Sequence, residues 1–235
     1  MSAPPHNQGK VCVSVAGETV SGAIETARRF GGAADVTEIR LDTLSRPEIL
    51  PFVERLKGPL LFTNRAEWEG GFFKGTETER VGLLLEAVQH NCDLVDLELR
   101  TAPELRGDLL DRMAQHPRTR LIISWHDFEG TPASETLGEI LQEQAESGAH
   151  IGKIVTTARE PKDVLRVLQL LDAAAESGFP LIAFCMGPLG RISRLATVIL
   201  GGYMTYGAPE GGSESAPGQM PVAVLRDMLA QLKEQ

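Results

Sequence analysis

The chain has 235 residues, of which 42% are hydrophobic and 23% charged, as expected for a soluble globular protein that buries a substantial core. Its net charge is -9 and it contains no run rich in lysine and arginine, which argues against a nucleic-acid partner. No apolar run is long enough to span a membrane, and the N-terminus lacks the apolar segment of a signal peptide.

Segments typical of strands and of helices alternate along the chain from residue 11 onward. Short apolar runs rich in β-branched residues predict strands at 11–15, 36–41, 60–63, 94–99, 121–125, 151–155, 181–184 and 203–206. Helical periodicity, often with proline near the start and glycine after the end, predicts helices at 21–30, 47–56, 78–90, 103–115, 134–147, 161–177, 191–200 and 222–233.

Eight strand–helix units without a linker or a break in composition predict one domain over residues 1–235. Crossover helices make successive strands parallel, and eight such units in a chain of this length are typical of an α/β protein with a (β/α)8 (TIM) barrel. The alternative is an open doubly wound sheet. Against it, no G-x-G-x-x-G motif follows the first predicted strand, where a dinucleotide site would lie.

The three cysteines are odd in number and far apart, at Cys12, Cys92 and Cys185. They match neither a disulfide framework nor the ligand spacing of a zinc site. Because free thiols persist in a reducing compartment, we expect a cytoplasmic protein.

Lys153 lies in the middle of the sixth predicted strand, next to the apolar residues Ile151, Ile154 and Val155. An ammonium group in an apolar site is costly unless it is paired or loses its proton. A neutral lysine amine is a nucleophile that forms a Schiff base with a ketone or an aldehyde. The plainer explanation is an ion-paired strand lysine, or one with a buried stem and a charged end in water.

Polar side chains recur at alternate positions near the C-terminal ends of the predicted strands. They are Glu38, Arg40, Thr63, Arg65, Asp96, Glu98, Ser124 and His126, with the apolar pair Phe184 and Met186 at the same level of strand seven. Each pair alone could be a solvated face, and a lone histidine is more often structural than catalytic. Together they lie where barrel enzymes keep their chemistry, so we predict a catalytic site at this end.

These residue types suit chemistry on a carbonyl compound. Lys153 would form an iminium, which withdraws electrons from the adjacent carbon, and His126 on the neighbouring strand could move a proton there. Glu69, in the loop after strand three, could orient the imidazole. Arg40, Arg65 and Arg194 are candidates for holding a carboxylate or hydroxyl groups. Aldol cleavage and dehydration of a β-hydroxy carbonyl compound both remain open at this point.

Short motifs along the chain resemble those of type I 3-dehydroquinate dehydratase, a Schiff-base family of the shikimate pathway. The motifs are EIRLD at 38–42, TNR at 63–65, EGG at 69–71, DLEL at 96–99, SWHDF at 124–128, TP at 131–132, GKI at 152–154, MG at 186–187, GRISR at 190–194 and SAPGQ at 215–219. They occur in the family's order, from residue 10 to about 221. The resemblance favours dehydration over aldol cleavage.

The resemblance implies a role for each matching residue. Lys153 is similar to the imine-forming lysine, His126 to the base that removes the C2 proton and then protonates the leaving C1 hydroxyl, and Glu69 to the residue that positions the histidine. The implied substrate contacts are Arg194 with the carboxylate, Glu38, Arg40 and Arg65 with ring hydroxyls, Ser215 and Gln219 in a covering loop, and Met186 in an apolar wall. The family further implies a small-molecule substrate, a homodimer, and neither metal nor cofactor.

The chain departs from the family pattern in three places. The family usually has an N-terminal hairpin below the barrel, and too few residues precede the first predicted strand to form one. Phe184 replaces a common methionine, while Tyr206 keeps an aromatic residue after the last strand; both preserve an apolar wall. The loop before Ser215 is about two residues longer.

Two other functions fit part of the pattern. A class I aldolase on the same barrel would use the same lysine, but usually needs a phosphate site after strands seven and eight, where this chain offers Arg194 and a Ser/Ala/Pro loop. A catalytically silent barrel could bind a small acid. The presence of Lys153, His126 and Glu69 together argues against it.

Overall fold

The computed structural model describes residues 9–211 and 218–233, in which eight strands alternate with eight α-helices. The strands are β1 (Lys10–Val15), β2 (Val36–Arg40), β3 (Leu60–Thr63), β4 (Leu94–Glu98), β5 (Arg120–His126), β6 (Ile151–Thr157), β7 (Leu181–Met186) and β8 (Met204–Gly207). The helices are α1 (Val20–Phe30), α2 (Leu50–Arg55), α3 (Glu77–Gln89), α4 (Pro103–Ala114), α5 (Ser134–Glu146), α6 (Pro161–Ser177), α7 (Gly187–Ile199) and α8 (Val222–Lys233). No helix in the described ranges is long and apolar enough to cross a membrane.

The eight strands form one parallel sheet in the order β7-β6-β5-β4-β3-β2-β1-β8. The sheet curls so that its two terminal strands meet, and the Tyr203 N–H, just before β8, donates to the Leu181 carbonyl of β7 at 2.7 Å. The predicted (β/α)8 barrel is therefore confirmed, and the open doubly wound alternative is wrong.

The strand register aligns polar residues at one level of the barrel. Thr63 lies opposite Arg40 on one side and Asp96 on the other. Ser124 lies opposite Glu98 and Lys153 in the same way. Because side chains alternate across a strand, these inward positions face one another at the C-terminal end of the barrel.

Apolar side chains fill the space on both sides of the sheet. Outward-facing residues such as Ile123 and Ile154 pack against the helices and have no exposed surface. A second cluster, which includes Leu61, Leu94 and Ile122, fills the barrel interior below the polar level. The strand that carries Lys153 is thus held by apolar packing on its outer face, while its lysine faces inward.

Two helices, α2 and α7, start three and four residues away from their predicted positions. Helix α2 begins at Leu50 and not at residue 47, because Pro51 and not Pro47 occupies its first turn. Helix α7 begins at Gly187 and not at residue 191. There Gly187 takes a φ of 81°, which suits glycine, and Pro188 fits the first helical turn, so the glycine starts this helix instead of breaking it.

Candidate active site

A pocket opens at the C-terminal end of the barrel and gathers nearly all the residues that the sequence predicted for the site. Its lining comprises Glu38, Arg40, Thr63, Arg65, Glu69, Gly70, His126, Phe128, Lys153, Val155, Phe184, Met186, Arg194, Tyr206 and Gln219. Ser215 lies outside the described residues. Five of the eight strands contribute ionisable or aromatic side chains to this one cavity, in the place where TIM-barrel enzymes bind their substrates.

Lys153 projects from β6 into the pocket and is only 5% exposed. Its Nζ lies 2.8 Å from Asp96 Oδ2 and 4.5 Å from the centre of the Tyr206 ring. Behind it, Gln144 of α5 donates from Nε2 to the Lys153 carbonyl at 2.9 Å, which fixes the strand at this residue. Lys153 is thus ion-paired but still lines the cavity, so it remains a candidate for reaction with a bound ligand.

Asp96 is the counterion of the lysine and is itself fully buried. Its second oxygen, Oδ1, accepts from Arg65 Nη2 at 2.9 Å and from the Ser124 hydroxyl at 2.6 Å. Burial alone would raise the pKa of Asp96, but Arg65 and Lys153 outweigh it and hold that pKa well below its usual range. Asp96 therefore carries a fixed negative charge beside the amine.

His126 ends β5 beside the same cavity. Its Nδ1 lies 2.8 Å from Glu69 Oε2, and the Phe128 ring stacks on the imidazole with centroids 6.4 Å apart and planes at 25°. When Glu69 is ionised it accepts from Nδ1–H, and the lone pair of Nε2 is then the one left to take a proton. Burial, Arg65 and Lys153 keep the pKa of His126 well below its usual value, so the imidazole is neutral and can act as a base.

Glu69 is held in the 3-10 helix Glu67–Glu69, which the left-handed Gly70 (φ 75°) terminates. Burial raises the pKa of Glu69 to about 8, against the lowering effect of Arg65, whose Nη1 lies 3.9 Å away. The carboxyl group and the imidazole thus form a tightly coupled pair whose proton content changes near neutral pH.

The glutamate and arginine of β2 are oriented by neighbours before any ligand arrives. Glu38 accepts from the hydroxyl groups of Ser14 and Thr63, the latter at 2.8 Å. Arg40 makes a forked pair with Asp42, at 2.9 Å from Nε to Oδ1 and 2.7 Å from Nη2 to Oδ2. Side chains that neighbouring residues already hold in place can bind hydroxyl groups with little further loss of side-chain entropy.

Arg194 enters the pocket from α7. It is buried, its guanidinium lies 4.6 Å from the centre of the Phe184 ring, and its Nη1 approaches the Tyr206 carbonyl at 3.4 Å. Met186 continues the apolar wall next to Phe184, and Gln219 is buried at the pocket rim. A buried, forked cation on an apolar wall suits a ligand carboxylate.

Asp96 and Arg80 are among the residues of this region that were not predicted as site residues. Asp96 was recognised only as a polar strand end, although alternation along β4 does predict that it faces inward. Arg80 of α3 is fully buried and ion-paired with Glu98, yet its spacing of three residues from Glu77 is typical of a surface pair, so the sequence carries no signal for its burial.

Comparison with known proteins assigns the family. The model of the type I 3-dehydroquinase family matches residues 11–235 of the chain. This chain belongs to the type I 3-dehydroquinase family. A 3-dehydroquinate dehydratase of Desulfotalea psychrophila is 48% identical over 221 residues, which cover 94% of this chain and 97% of that protein. The 3-dehydroquinate dehydratase of Methanocaldococcus jannaschii is 36% identical and covers 93% and 96%.

Solved structures agree with this assignment. The type I enzyme from Clostridium difficile, solved with covalently modified comenic acid, superposes with a TM-score of 0.87 at 29% identity, over 97% of this chain and 93% of that one. A 3-hexulose-6-phosphate synthase superposes with a TM-score of 0.60 at 13% identity, over 94% and 98%. The second likeness concerns the barrel alone, so a sugar-phosphate aldolase function is not favoured.

Proposed function

We propose that this protein is a 3-dehydroquinate dehydratase, a hydro-lyase that converts 3-dehydroquinate to 3-dehydroshikimate and water in the shikimate pathway of aromatic amino acid biosynthesis. The observation that carries the proposal is a buried lysine in the family's barrel pocket, beside a neutral histidine held by a carboxyl group. An amine and a base in one cavity are the two groups that β-elimination through an imine requires.

The proposed reaction begins at Lys153, whose free amine attacks the ketone carbon of the substrate. Loss of the ketone oxygen as water leaves an iminium, which draws electrons from the bond to C2. His126 Nε2 removes the C2 proton, the resulting enamine expels the C1 hydroxyl, and His126 returns its proton to that leaving group. Water then hydrolyses the product imine and restores the amine of Lys153.

The other residues hold the substrate and the base. Glu69 fixes the tautomer and orientation of His126 through its bond to Nδ1. The carboxylate of the substrate is assigned to Arg194, and its ring hydroxyls to the preoriented side chains of β2 and β3. These hydroxyl contacts are Glu38, Arg40 and Arg65, with Met186 in the apolar wall and Ser215 and Gln219 in the loop that covers the ligand.

A turnover assay tests the proposal. The product is a conjugated enone, so its formation from 3-dehydroquinate can be followed by ultraviolet absorbance with wild-type protein and a Lys153→Ala variant. We expect turnover by the wild type and none by the variant. A wild type that leaves 3-dehydroquinate unchanged, or a Lys153→Ala protein as active as the wild type, would refute it.

We also propose that the protein works as a homodimer. Exposed apolar side chains lie on the adjacent helices α7 and α8, namely Leu189, Ile192, Ile199, Val224, Met228 and Leu232. Apolar patches of this kind mark association surfaces, and a second copy is the partner that the family suggests. Sedimentation of the wild type should give twice the monomer mass, and an Ile192→Asp variant should sediment as a monomer if this face is the interface.

A reducing compartment such as the cytoplasm is the proposed location. Its support is that Cys12, Cys92 and Cys185 are all buried free thiols. Burial raises the pKa of each, to about 12 for Cys92, so none is a reactive thiolate. Cell fractionation with an antibody to the protein tests the location, and recovery from an oxidising compartment would contradict it.

A further inference from the structure

Arg80 belongs to an outer helix, α3, yet its guanidinium is fully buried and reaches a carboxylate at the end of β4. It donates from Nη1 to Glu98 Oε2. Its other donors bind the Glu77 carboxylate at 2.8 and 2.9 Å, the Thr101 hydroxyl at 2.8 Å and the Asn64 carbonyl at 3.0 Å. Five well-directed bonds make this one of the most constrained side chains in the described protein.

Opposite charges alternate from Arg80 to the pocket lysine. Glu98 Oε1 accepts from Arg65 Nη1 at 2.8 Å, so Glu98 is shared between two arginines. Arg65 Nη2 lies 2.9 Å from Asp96 Oδ1, and Asp96 Oδ2 lies 2.8 Å from Lys153 Nζ. We call Arg80, Glu98, Arg65, Asp96 and Lys153 the charge row. Glu77, with 42% of its side chain exposed, connects the row to solvent.

We propose that Arg80 is a positioning residue of the active site, which balances the charge of Glu98 and so keeps the protons of the pocket in the state that catalysis needs. Arg65 alone cannot balance Glu98, because Asp96 shares its guanidinium. With Lys153 charged, loss of Arg80 lowers the net charge of the row from +1 to 0, which acts on the neighbouring groups as one added negative charge. Such a charge strengthens proton binding at every nearby titratable group.

Loss of the Arg80 charge should raise the proton affinity of every titratable group around the Lys153 amine. The charged or titratable side chains facing Lys153 are Cys12 on β1, Glu38 and Arg40 on β2, Arg65 on β3, Asp96 on β4, His126 on β5, Tyr206 on β8, Arg194 on α7 and Glu69 in the loop after β3. None of these is changed by substituting Arg80. A shift in pH dependence therefore reports the charge of Arg80, whichever group sets a given limb of the profile.

The test is a double-mutant cycle read as kcat/KM for 3-dehydroquinate against pH, so this readout rests on the proposed function. Arg80→Gln makes the site one charge more negative. Both the acid and the alkaline limb of the kcat/KM profile should therefore move to higher pH, by on the order of one unit for a charge at this depth. Glu98→Gln should move them to lower pH. The double variant should return to the wild-type position with reduced kcat/KM, because Arg65 has lost one partner.

A second measurement, made without substrate, tests the role of Arg80 independently of the proposed dehydratase activity. Acetic anhydride acetylates free amines, so the pH dependence of Lys153 acetylation can be followed by peptide mass analysis without substrate. Arg80→Gln should shift that dependence to higher pH. If the wild type failed to turn over 3-dehydroquinate, the proposed function would fail while this measurement still tested Arg80.

Two further variants act as controls. Arg80→Lys keeps the charge but loses the fork, so its profile should stay at the wild-type position while its stability falls. Arg166→Gln removes an arginine bound to Asp163 and to the Pro132 carbonyl, away from the charge row, and should lower stability without moving the profile.

The outcome that overturns the proposal is a folded Arg80→Gln protein whose kinetic and labelling profiles both coincide with those of the wild type. If Arg80→Gln does not fold, the comparison moves to Glu98→Gln and to the Arg80→Gln/Glu98→Gln double variant, in which no fully buried carboxylate is left unpaired. Different profiles for those two proteins support a role for Arg80. Identical profiles would reduce Arg80 to a structural ion pair.

Discussion

Lys153 and Asp96 form a buried ion pair across the barrel, with 2.8 Å between Nζ and Oδ2, although β5 lies between their strands. The pair has two consequences for the chemistry. Asp96 stabilises the positive charge of Lys153, and in the proposed mechanism it would also stabilise the iminium formed there. The same carboxylate also orients Arg65, so one residue links the amine to the side of the pocket that we propose binds the substrate hydroxyls.

Replacing that carboxylate should damage both stability and turnover. Asp96→Asn keeps the shape but leaves two buried cations, Lys153 and Arg65, without their shared counterion. We expect the free energy of unfolding to fall by about 3 kcal/mol and kcat to fall by about 10²-fold. Urea denaturation and steady-state kinetics measure the two effects. Wild-type kcat in a folded Asp96→Asn protein would show that the charge plays no part in the reaction.

Replacing Arg194 by lysine should weaken substrate binding. The variant keeps the positive charge but loses the fork that suits a carboxylate, so we expect KM to rise by an amount equivalent to about 2–4 kcal/mol. The control is Arg191→Lys, an exposed position three residues earlier on the same helix, which should behave as the wild type. Unchanged KM and kcat in Arg194→Lys would place the substrate carboxylate elsewhere.

The Glu69 carboxyl should make stability depend on pH with a definite sign. Its pKa is about 8 when folded and about 4.5 when unfolded, so between these values the folded protein holds a proton that the unfolded chain has released. Glu69 therefore contributes stability that is present below pH 4.5 and is lost as pH rises toward 8.

A Glu69→Gln variant isolates this effect, because its amide does not titrate. We expect the wild type to lose a few kcal/mol of unfolding free energy relative to the variant between about pH 5 and 8. Urea denaturation of both proteins at several pH values gives the difference. A difference that stays constant, or that grows in favour of the wild type with rising pH, would contradict the raised pKa of Glu69.

Gly152 should not accept a side chain. A Cβ atom there would lie 2.6 Å from Gln144 Oε1 and 2.7 Å from the Phe179 ring, so Gly152→Ala must displace the residue that fixes the Lys153 carbonyl. We expect a loss of about 1–3 kcal/mol of unfolding free energy and slower imine formation. Gly138→Ala, where nothing lies within 4 Å, should instead stabilise the protein by about 0.5–1 kcal/mol. Equal thermal shifts in the two variants would show that Gly152 is not crowded.

Residue alternation along the strands explains how much of the site was predictable. Lys153 and His126 stand out because charged or titratable side chains in otherwise apolar strands must face a polar cavity. The pairing of Lys153 with Asp96 was not predictable, since it joins strands that are not neighbours and depends on the curvature of the closed barrel. Arg80 was missed for a different reason: its helix reads as an ordinary outer helix, and only the packed structure buries the guanidinium.

The starts of two helices show the limits of local signals within the fold. Both Pro47 and Pro51 suit a first helical turn, and local preference alone does not choose between them. At α7, Gly187 and Gly190 both precede the predicted helix start at residue 191. In the structure, a Cβ at Gly190 would lie 2.4 Å from the Cys185 carbonyl, so that glycine permits close packing of a helix that has already begun.

We propose that Lys153 forms the imine and that His126 moves the proton, so the two roles should fail separately. The most direct measurement is borohydride reduction in the presence of 3-dehydroquinate, followed by mass analysis of the protein. We predict a reduced adduct on Lys153 in the wild type and none in Lys153→Ala. His126→Ala should still give the adduct while its turnover falls by at least about 10²-fold, as expected when a general acid–base is lost. An adduct on another lysine, or full turnover by Lys153→Ala, would contradict the assignment of the imine to Lys153.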